Sequence, residues 1–396
     1  MSRVVLEPAA RLKLLPPYPF LELARMKREA LAAGRPLVDL GIGDPDTPTA
    51  PAVIAAMNRA MRDPATHRYP LGNGNAAFRG AAVRWFRRRF GVALDPSREV
   101  AALIGSKEGI AHFPWAYVNP GERVFVPDPA YPVFATSTTM CGARPVVMPL
   151  RAENAFLPDL EELSRKLRRG LKAKLMFLNY PNNPTAATAT CDFFRRVVAL
   201  AARWGFAVAH DAAYTEIWQD ERRRPPSILQ VPGAREVAIE FHSLSKTLNM
   251  TGWRLGFAVG NARLVGALAD FKGNVDSGQF EAIQYAGVAG LRVAFGWARR
   301  MSRVYRARRD LLSNAFRMLG LPAPRPDAAI YLWVPLPPRR SSAEYAQWLL
   351  KEADLLVTPG AGFGRWGEGY IRVSLTVPDA GVREACRRLE RLAVKS

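Results

Sequence analysis

Residues 173–214 read AKLMFLNYPNNPTAATATCDFFRRVVALAARWGFAVAHDAAY, and this stretch decides the fold. Two apolar runs, AKLMFLNY and FAVAHD, flank a helix-length segment at residues 191–204. Continuous apolar runs are typical of strands that are buried on both faces, and a helical crossover joins strands that run parallel. The stretch therefore predicts two parallel strands covered by a helix.

The same alternation extends on both sides of this unit. Further strand-like runs are EVAALIG (99–105), ERVFVPD (122–128), RPVVMPL (144–150), EVAIEFH (236–242) and LGFAVG (255–260). Strands that alternate with helices predict an α/β fold whose central sheet is mostly parallel and covered by helices. Downstream, a helix-rich region ends in two runs, AIYLWVPL and GYIRVSLTV, which indicate a smaller α+β domain.

Three parts of the chain are predicted from this pattern. Residues 1–45 form an N-terminal arm and helix that packs with the small domain, with an amphipathic helix at 20–34 ended by Gly34. Residues 46–285 form the large domain, and residues 286–396 form the small C-terminal domain.

Composition excludes several classes of protein. The chain has 396 residues, 49% of them hydrophobic, which is enough for a large core. No apolar run reaches the length of a membrane span, and the N-terminus lacks the pattern of a signal peptide. The three cysteines are scattered, which favours a reducing cytoplasm, and the four histidines lack metal-ligand spacing, so no metal is expected.

The net charge of +21 has two explanations. A basic surface can bind nucleic acid or attract anionic substrates. The basic clusters at 84–90, 164–170, 221–224 and 297–309 are dispersed, however, and resemble the polar faces of amphipathic helices. The sequence favours solvated helix faces, and nucleic acid is not an expected partner.

Polar residues follow four of the predicted strands, at the sheet edge where α/β proteins bind ligands. Gly105, Ser106 and Lys107 would begin a helix whose free N–H groups bind an anion. The sequence PNNPT follows the run AKLMFLNY, and Asp211 ends the run FAVAHD, with Tyr214 three residues further on. Each feature alone has an ordinary structural explanation, such as a helix cap.

The fourth strand end carries a lysine among hydroxyl groups. Ser243, Ser245 and Lys246 follow EVAIEFH, and Arg254 comes eight residues after the lysine. A desolvated lysine is a nucleophilic amine, although a lysine there can also simply extend to solvent. Together the four strand ends suit a phosphate, an aldehyde and a ring nitrogen, which are the groups of pyridoxal 5'-phosphate (PLP).

These motifs resemble a known family. PNNPT, the Asp211–Tyr214 pair, SLSK with Arg254, and RVSL around Arg372 look like those of the PLP-dependent fold-type-I, class-I/II aminotransferases, over roughly residues 15 to 390. LPPYPF, LGIGDPD, IGSKEGIAH, PDPAYPV, HDAAY, NMTGWRLGFAVGN and DSGQFEAIQY resemble most the bacterial LL-diaminopimelate aminotransferase group.

The resemblance implies a role for each matching position. Lys246 would carry PLP as a Schiff base and move the proton, Asp211 would hold the pyridinium proton, and Tyr214 would assist at the ring oxygen. Other implied cofactor contacts are Asn183 at the ring oxygen, Tyr131 stacked on the ring, and Ser106, Lys107, Ser243, Ser245 and Arg254 at the phosphate. Tyr69 would reach the phosphate in the partner subunit of a homodimer.

The resemblance also implies a substrate site and a reaction. Arg372 would clamp the substrate carboxylate, with Asn183, Ile42 and Gly43 close to the substrate. The implied reaction moves an amino group from LL-diaminopimelate to 2-oxoglutarate, in the synthesis of lysine and peptidoglycan precursors. N-succinyl-diaminopimelate, aspartate, alanine and aromatic amino acids remain alternative donors, and a C–S β-lyase remains an alternative reaction. A PLP-binding regulator that contacts nucleic acid is a further alternative. Such regulators normally carry an additional helix-turn-helix domain, and the residues before LPPYPF are too few to form one.

Two positions depart from the family pattern. Ala186 follows PNNPT where the family has glycine, and it would be strained if the backbone there needs a positive φ. Residues 71–79, LGNGNAAFR, also differ from the expected sequence near Tyr69. Both changes lie near the implied substrate pocket and therefore bear on the choice of donor.

Overall fold

The computed structural model describes residues 6–15, 19–70, 72–338 and 340–395. Pro16, Pro17 and Tyr18 of the LPPYPF motif lie outside the described residues. In chain order the strands are Val38–Asp39 (β1), Val100–Leu103 (β2), Arg123–Asp128 (β3), Arg144–Pro149 (β4), Leu175–Asn179 (β5), Ala207–Asp211 (β6), Ala238–Ser243 (β7), Gly256–Gly260 (β8), Tyr331–Pro335 (β9), Leu355–Leu356 (β10), Thr358–Pro359 (β11) and Tyr370–Ser374 (β12).

The helices follow the same order along the chain. They are Pro19–Ala32 (α1), Pro51–Ala60 (α2), Ala76–Phe90 (α3), Ser106–Tyr117 (α4), Val133–Met140 (α5), Leu160–Arg168 (α6), Cys191–Trp204 (α7), Ala234–Val237 (α8), Leu244–Thr247 (α9), Ala262–Val275 (α10), Glu281–Met318 (α11), Ser342–Ala353 (α12) and Asp379–Lys395 (α13). The helices predicted at 20–34 and 191–204 are confirmed as α1 and α7, and Gly34 takes a φ of 70° just after α1. No helix of the described residues is long and apolar enough to cross a membrane.

The large sheet has seven strands in the order β2-β8-β7-β6-β5-β3-β4. Strands β4, β3, β5, β6 and β7 run parallel, whereas β8 is antiparallel to both of its neighbours. Side chains of α3, α6 and α7 join one apolar core against the sheet, and those of α4, α5 and α10 join another. The predicted α/β fold, with a mostly parallel sheet covered by helices, is confirmed.

A third core lies around a three-stranded antiparallel sheet of order β11-β12-β9. The N-terminal segment joins this part of the molecule, because β1 pairs in parallel with β10. The predicted domain boundary at residue 285 falls inside α11, a helix of 38 residues that packs along both parts of the chain.

Most of the basic clusters lie on exposed helix faces, as the sequence favoured; Arg84, Arg87 and Arg88 of α3 are examples. Two arginines differ. Arg89 pairs with Glu216 at 2.7 Å between nearly buried side chains. Arg308 of α11 donates to Asp46 at 2.7 and 2.9 Å and to Asp379 at 2.8 Å. Because it pairs with both, Arg308 ties the loop after β1 to α13.

Candidate active site

One cavity of about 400 Å³ opens at the carboxyl edge of the large sheet. Strands β5, β6 and β7 end beside it, and helix α4 begins there. Thirteen of the fourteen residues selected from the sequence line this cavity; they are Ile42, Gly43, Ser106, Lys107, Tyr131, Asn183, Asp211, Tyr214, Ser243, Ser245, Lys246, Arg254 and Arg372. Tyr69, the fourteenth, is 86% exposed and is not part of this lining.

Lys246 extends into the cavity from the short helix α9. Its Nζ donates to the carbonyl of Gly43 at 2.6 Å. Burial, together with the positive charges of Arg372 and Arg254, lowers the pKa of Lys246 to about 8, although Asp44 opposes the shift. The side chain therefore carries a neutral, nucleophilic amine at a much lower pH than an ordinary lysine.

Asp211 ends the buried strand β6, and only 7% of the residue is exposed. Its carboxylate accepts the backbone N–H of Ala213 at 3.2 Å. Burial raises the pKa of Asp211 to about 6, while the charge of His210 and the Ala213 hydrogen bond lower it. Among the described residues, no lysine or arginine forms an ion pair with this carboxylate, so the site suits a cationic ligand group.

Arg372 is 1% exposed and lies in β12 of the small sheet. Its two terminal nitrogens donate to Asn183 Oδ1 at 2.8 Å and to the Gly41 carbonyl at 2.6 Å. The guanidinium also lies over the rings of Tyr331 and Phe363, at 4.3 and 4.7 Å from their centroids. These contacts hold a planar cation that matches a carboxylate by two parallel hydrogen bonds.

The sequence did not identify Tyr331, although it lines the cavity. Its hydroxyl lies 2.9 Å from the hydroxyl of Tyr214, and the two rings meet edge to face. Burial, followed by the presence of Tyr331, raises the pKa of Tyr214 well above its ordinary value. Four more lining residues were not predicted: Asp44, Ile110, Ala213 and Thr251. Their closeness in sequence to the selected motifs is the only signal that would have placed them in the cavity.

The part of the cavity around Ser106 and Arg254 suits an anion. Gly105, with a φ of 76°, precedes helix α4, and any side chain there would collide with the guanidinium of Arg254. Arg254 in turn donates to the Thr251 carbonyl at 2.7 Å and lies 3.4 Å from Ser245 Oγ. A guanidinium packed against the first N–H groups of a helix gives this end a positive potential.

The PNNPT loop contains Asn183 and the unusual Ala186. Asn183 donates its backbone N–H to Asn179 Oδ1 at 2.8 Å, and Asn179 also donates to the Asp211 carbonyl at 3.0 Å. Ala186 has a φ of 57°, so the backbone there does need the positive φ that favours glycine, and alanine occupies a left-handed conformation. Such a conformation costs about 1–2 kcal/mol relative to the usual backbone, which the surrounding packing must offset.

Potential metal ligands also meet outside the cavity, at Glu108, His112 and Asp276, whose ligand atoms lie within 4.8 Å of one another. The buried ammonium of Lys272 contacts Glu108 at 2.9 Å and Asp276 at 3.1 Å. Because the Lys272 ammonium already contacts both carboxylates, the geometry is that of an ion-pair network.

Comparison with known proteins gives concordant matches. The family model described as aminotransferase class I and II matches residues 35–389. The chain is 51% identical to the LL-diaminopimelate aminotransferase of Syntrophobacter fumaroxidans, over 97% of this chain and 98% of that protein. It is 49% identical to the LL-diaminopimelate aminotransferase of Aquifex aeolicus, over 96% and 98%. Among solved structures, substrate-bound BacF from Bacillus subtilis covers 98% of both chains with a TM-score of 0.93 and 33% identity.

Proposed function

The chain belongs to the aminotransferase class I and II family, and from this premise we propose that it binds PLP and transfers the amino group of LL-diaminopimelate to 2-oxoglutarate. The observation that carries the proposal is the meeting of Lys246, Asp211 and Arg372 around one cavity. An amine, an acid and a carboxylate clamp are the protein groups that PLP-dependent transamination requires.

Two features of the cavity fit PLP. The buried Asp211 carboxylate lacks an ion-pair partner among the described residues, and a protonated ring nitrogen would supply one. The bare backbone of Gly105 leaves the start of α4 beside the Arg254 guanidinium, which suits a phosphate. We infer that Ser106, Lys107, Ser243, Ser245 and Arg254 hold the phosphate, Tyr131 stacks on the ring, and Asn183 and Tyr214 hydrogen-bond its oxygen.

Lys246 would hold PLP until the substrate's amino group takes its place, and the PLP ring would then supply the electron withdrawal that stabilises negative charge on the carbon next to that amino group. Asp211 keeps the ring nitrogen protonated, which maintains that withdrawal. Lys246, released as a neutral amine, accepts the proton from the substrate's α-carbon at its Nζ. Arg372 orients that carbon by holding the adjacent carboxylate, while Ile42 and Gly43 bound the substrate. General acid–base transfer of this kind contributes about 10²–10⁴-fold to a rate.

The proposed donor rests on the two relatives described above. Both are named LL-diaminopimelate aminotransferase, and their sequences are 51% and 49% identical to this chain. A half-reaction tests it directly. PLP-loaded protein is mixed in turn with LL-diaminopimelate, glutamate, aspartate and alanine, without an acceptor, and the absorbance of the cofactor is followed. We expect conversion to the amino form with LL-diaminopimelate and glutamate only.

Other outcomes of the half-reaction would replace parts of the proposal. Conversion by a different donor, such as N-succinyl-diaminopimelate or an aromatic amino acid, would keep the transamination and change its substrate. Release of pyruvate from a sulfur amino acid, without any acceptor, would indicate a lyase. A failure of every donor to convert bound PLP would contradict the proposed function.

The shifted pKa values of Lys246 and Asp211 predict how the attachment of PLP depends on pH. The neutral Lys246 amine appears as pH rises through about 8, so the attachment rate of apoprotein should increase up to that pH and then level off. The Asp211 carboxylate is lost as pH falls through about 6, so affinity for PLP should decline below that value. Mixing apoprotein with PLP between pH 5 and 10 and following absorbance measures both limbs.

Asp211→Asn is the matched control for the decline in PLP affinity at low pH. It is needed because the phosphate of PLP titrates in the same pH range and can cause a decline of its own. The variant should lose the decline that depends on Asp211 and keep the limb that depends on Lys246. A rate that keeps rising beyond pH 10, as for an ordinary lysine, would contradict the assigned environment of Lys246.

Tyr331→Phe probes the hydroxyl pair in the cavity. Because Tyr214 loses its partner at 2.9 Å, we expect kcat/KM to fall by about fivefold, the equivalent of one hydrogen bond of about 1 kcal/mol. Steady-state kinetics and thermal unfolding measure the change. Tyr345→Phe, which removes the hydroxyl of a buried tyrosine outside the cavity, is the control. An equal kinetic loss in both variants would show that the hydroxyl pair has no special role.

We further propose a cytoplasmic homodimer. Support comes from Tyr69, whose exposed side chain lies outside the cavity of its own subunit and is free to reach a second copy. The three cysteines are unpaired in the structure, which agrees with a reducing compartment. Sedimentation of the PLP-loaded protein at several concentrations would measure the assembly.

A further inference from the structure

Behind the cavity, on strands β6 and β7, three titratable side chains form a buried chain. His210 and Glu240 have no exposed surface, and His242 is 3% exposed. His210 Nδ1 lies 2.9 Å from Glu240 Oε2, and His242 Nε2 lies 2.7 Å from Glu240 Oε1. The register of the two strands sets this contact, because His210 is the pairing partner of Glu240. No step of the proposed reaction uses these residues.

The hydrogen bonds of His210 determine its protonation. Its Nε2 lies 3.1 Å from the carbonyl oxygen of Tyr180, which can only accept. Its Nδ1 faces Glu240 Oε2, which also accepts the backbone N–H of Ile228 at 2.9 Å. Burial opposes ionisation of Glu240, yet hydrogen bonds from His210 and His242 hold its pKa well below the usual value. Both ring nitrogens of His210 therefore face oxygen atoms, an arrangement that a ring with a proton on each nitrogen satisfies.

The location of this cation connects it to the cavity. His210 directly precedes Asp211, and its charge favours the ionised form of that carboxylate. The Tyr180 carbonyl that it holds lies at the start of the PNNPT loop, three residues before Asn183. Glu240, His242 and Asp211 are the titratable side chains around His210, and the ring of Phe194 covers it at 4.9 Å between centroids.

We propose that His210 is a positioning residue, a buried imidazolium that keeps Asp211 ionised and holds the PNNPT loop through the Tyr180 carbonyl. Its counter-ion is Glu240, so the pair adds no net charge to the core but places its positive end next to Asp211. The part that concerns Asp211 rests on the proposed binding of PLP. The protonation of His210 does not, and it can be tested separately.

Nitrogen NMR of the histidine rings tests the protonation in the whole protein, with or without PLP. The chain has four histidines, so His210→Gln assigns the signals of residue 210 by their loss. At pH 8, where a free histidine is neutral, we expect protons on both nitrogens of His210. A bare nitrogen on His210 at this pH would mean that its ring is neutral, and it would overturn the proposal even if transamination is established.

Absorbance titration of the PLP-loaded variants tests the effect on Asp211. Loss of the positive charge next to Asp211 should make the PLP ring nitrogen lose its proton more easily. The nitrogen that joins Lys246 to PLP should then hold its own proton to a higher pH, so its pKa should rise by about one unit. We expect this shift in His210→Gln and in Glu240→Gln. His242→Gln, which leaves His210 between both acceptors, should titrate like the wild type.

Two results would contradict the effect on Asp211. One is a His210→Gln protein that binds PLP and titrates like the wild type. The other is a His242→Gln protein with the same shift, which would indicate a general loosening of the core. If His210→Gln does not fold, replacing the other three histidines in turn assigns the signals of His210, and Glu240→Gln still tests the effect on Asp211. Failure of the wild-type protein to bind PLP would instead count against the proposed function.

Discussion

Lys246→Ala should lower turnover by at least about 10⁴-fold while the protein remains folded. The substitution removes the amine that is proposed both to attach PLP and to move the proton, and each of these contributions is large. The lost contact in the folded state is one hydrogen bond to the Gly43 carbonyl, so the melting temperature should change little. Half-reaction kinetics, absorbance and thermal unfolding of the variant measure these effects.

Lys107→Ala is the matched control, because Lys107 lines the same cavity. Reduction of the PLP-loaded protein with borohydride should mark Lys246 in the wild type and in Lys107→Ala, and should mark no cavity lysine in Lys246→Ala. Peptide mass analysis identifies the marked residue. Wild-type turnover in Lys246→Ala would refute the assignment of the cavity as a PLP site.

Asp211→Asn should lower turnover by about 10²–10³-fold, the usual cost of losing one preorganised charge at a reacting group. Asparagine keeps the shape of the side chain and the hydrogen bond from Ala213, but it cannot ionise, so it cannot stabilise a protonated ring nitrogen. The cofactor should still attach to Lys246. The absorbance of the bound cofactor and the rate of the half-reaction therefore separate attachment from catalysis.

Asp128→Asn is the control for a carboxylate that only supports the fold. Asp128 ends β3 and accepts the backbone N–H groups of Trp366 and Arg365 at 3.0 and 3.2 Å. Its loss should lower stability and leave the titration of bound PLP unchanged. Equal effects of the two substitutions on the cofactor, or a wild-type rate in Asp211→Asn, would show that Asp211 is structural.

Local pattern carried most of the information on the fold. The apolar runs predicted β3, β5, β6 and β7 because strands buried on both faces lack polar alternation. Their parallel pairing brings the carboxyl ends to one edge, so residues separated widely in the chain meet there. For this reason Ser106, Asn183, Asp211 and Lys246 could be grouped before any coordinates were known.

The antiparallel direction of β8 was not evident from its sequence, LGFAVG. A continuous apolar run indicates burial on both faces but contains no signal for direction, which depends on how the chain returns to the sheet. The short loop between α9 and β8 allows a return next to β7 without a helical crossover.

By itself, then, the sequence determined the class of fold and most of the residues that line the cavity at the carboxyl edge of the sheet, because these depend on local periodicity and on which residue follows a strand. Only the tertiary structure decided the individual atomic contacts that side chains make across long separations. Tyr331 contacts Tyr214 from 117 residues away, and Lys246 contacts Gly43 from 203 residues away. Such contacts, and the shifted pKa values of Asp211 and Lys246, arise from packing and strand register, because burial and neighbouring charges act through space.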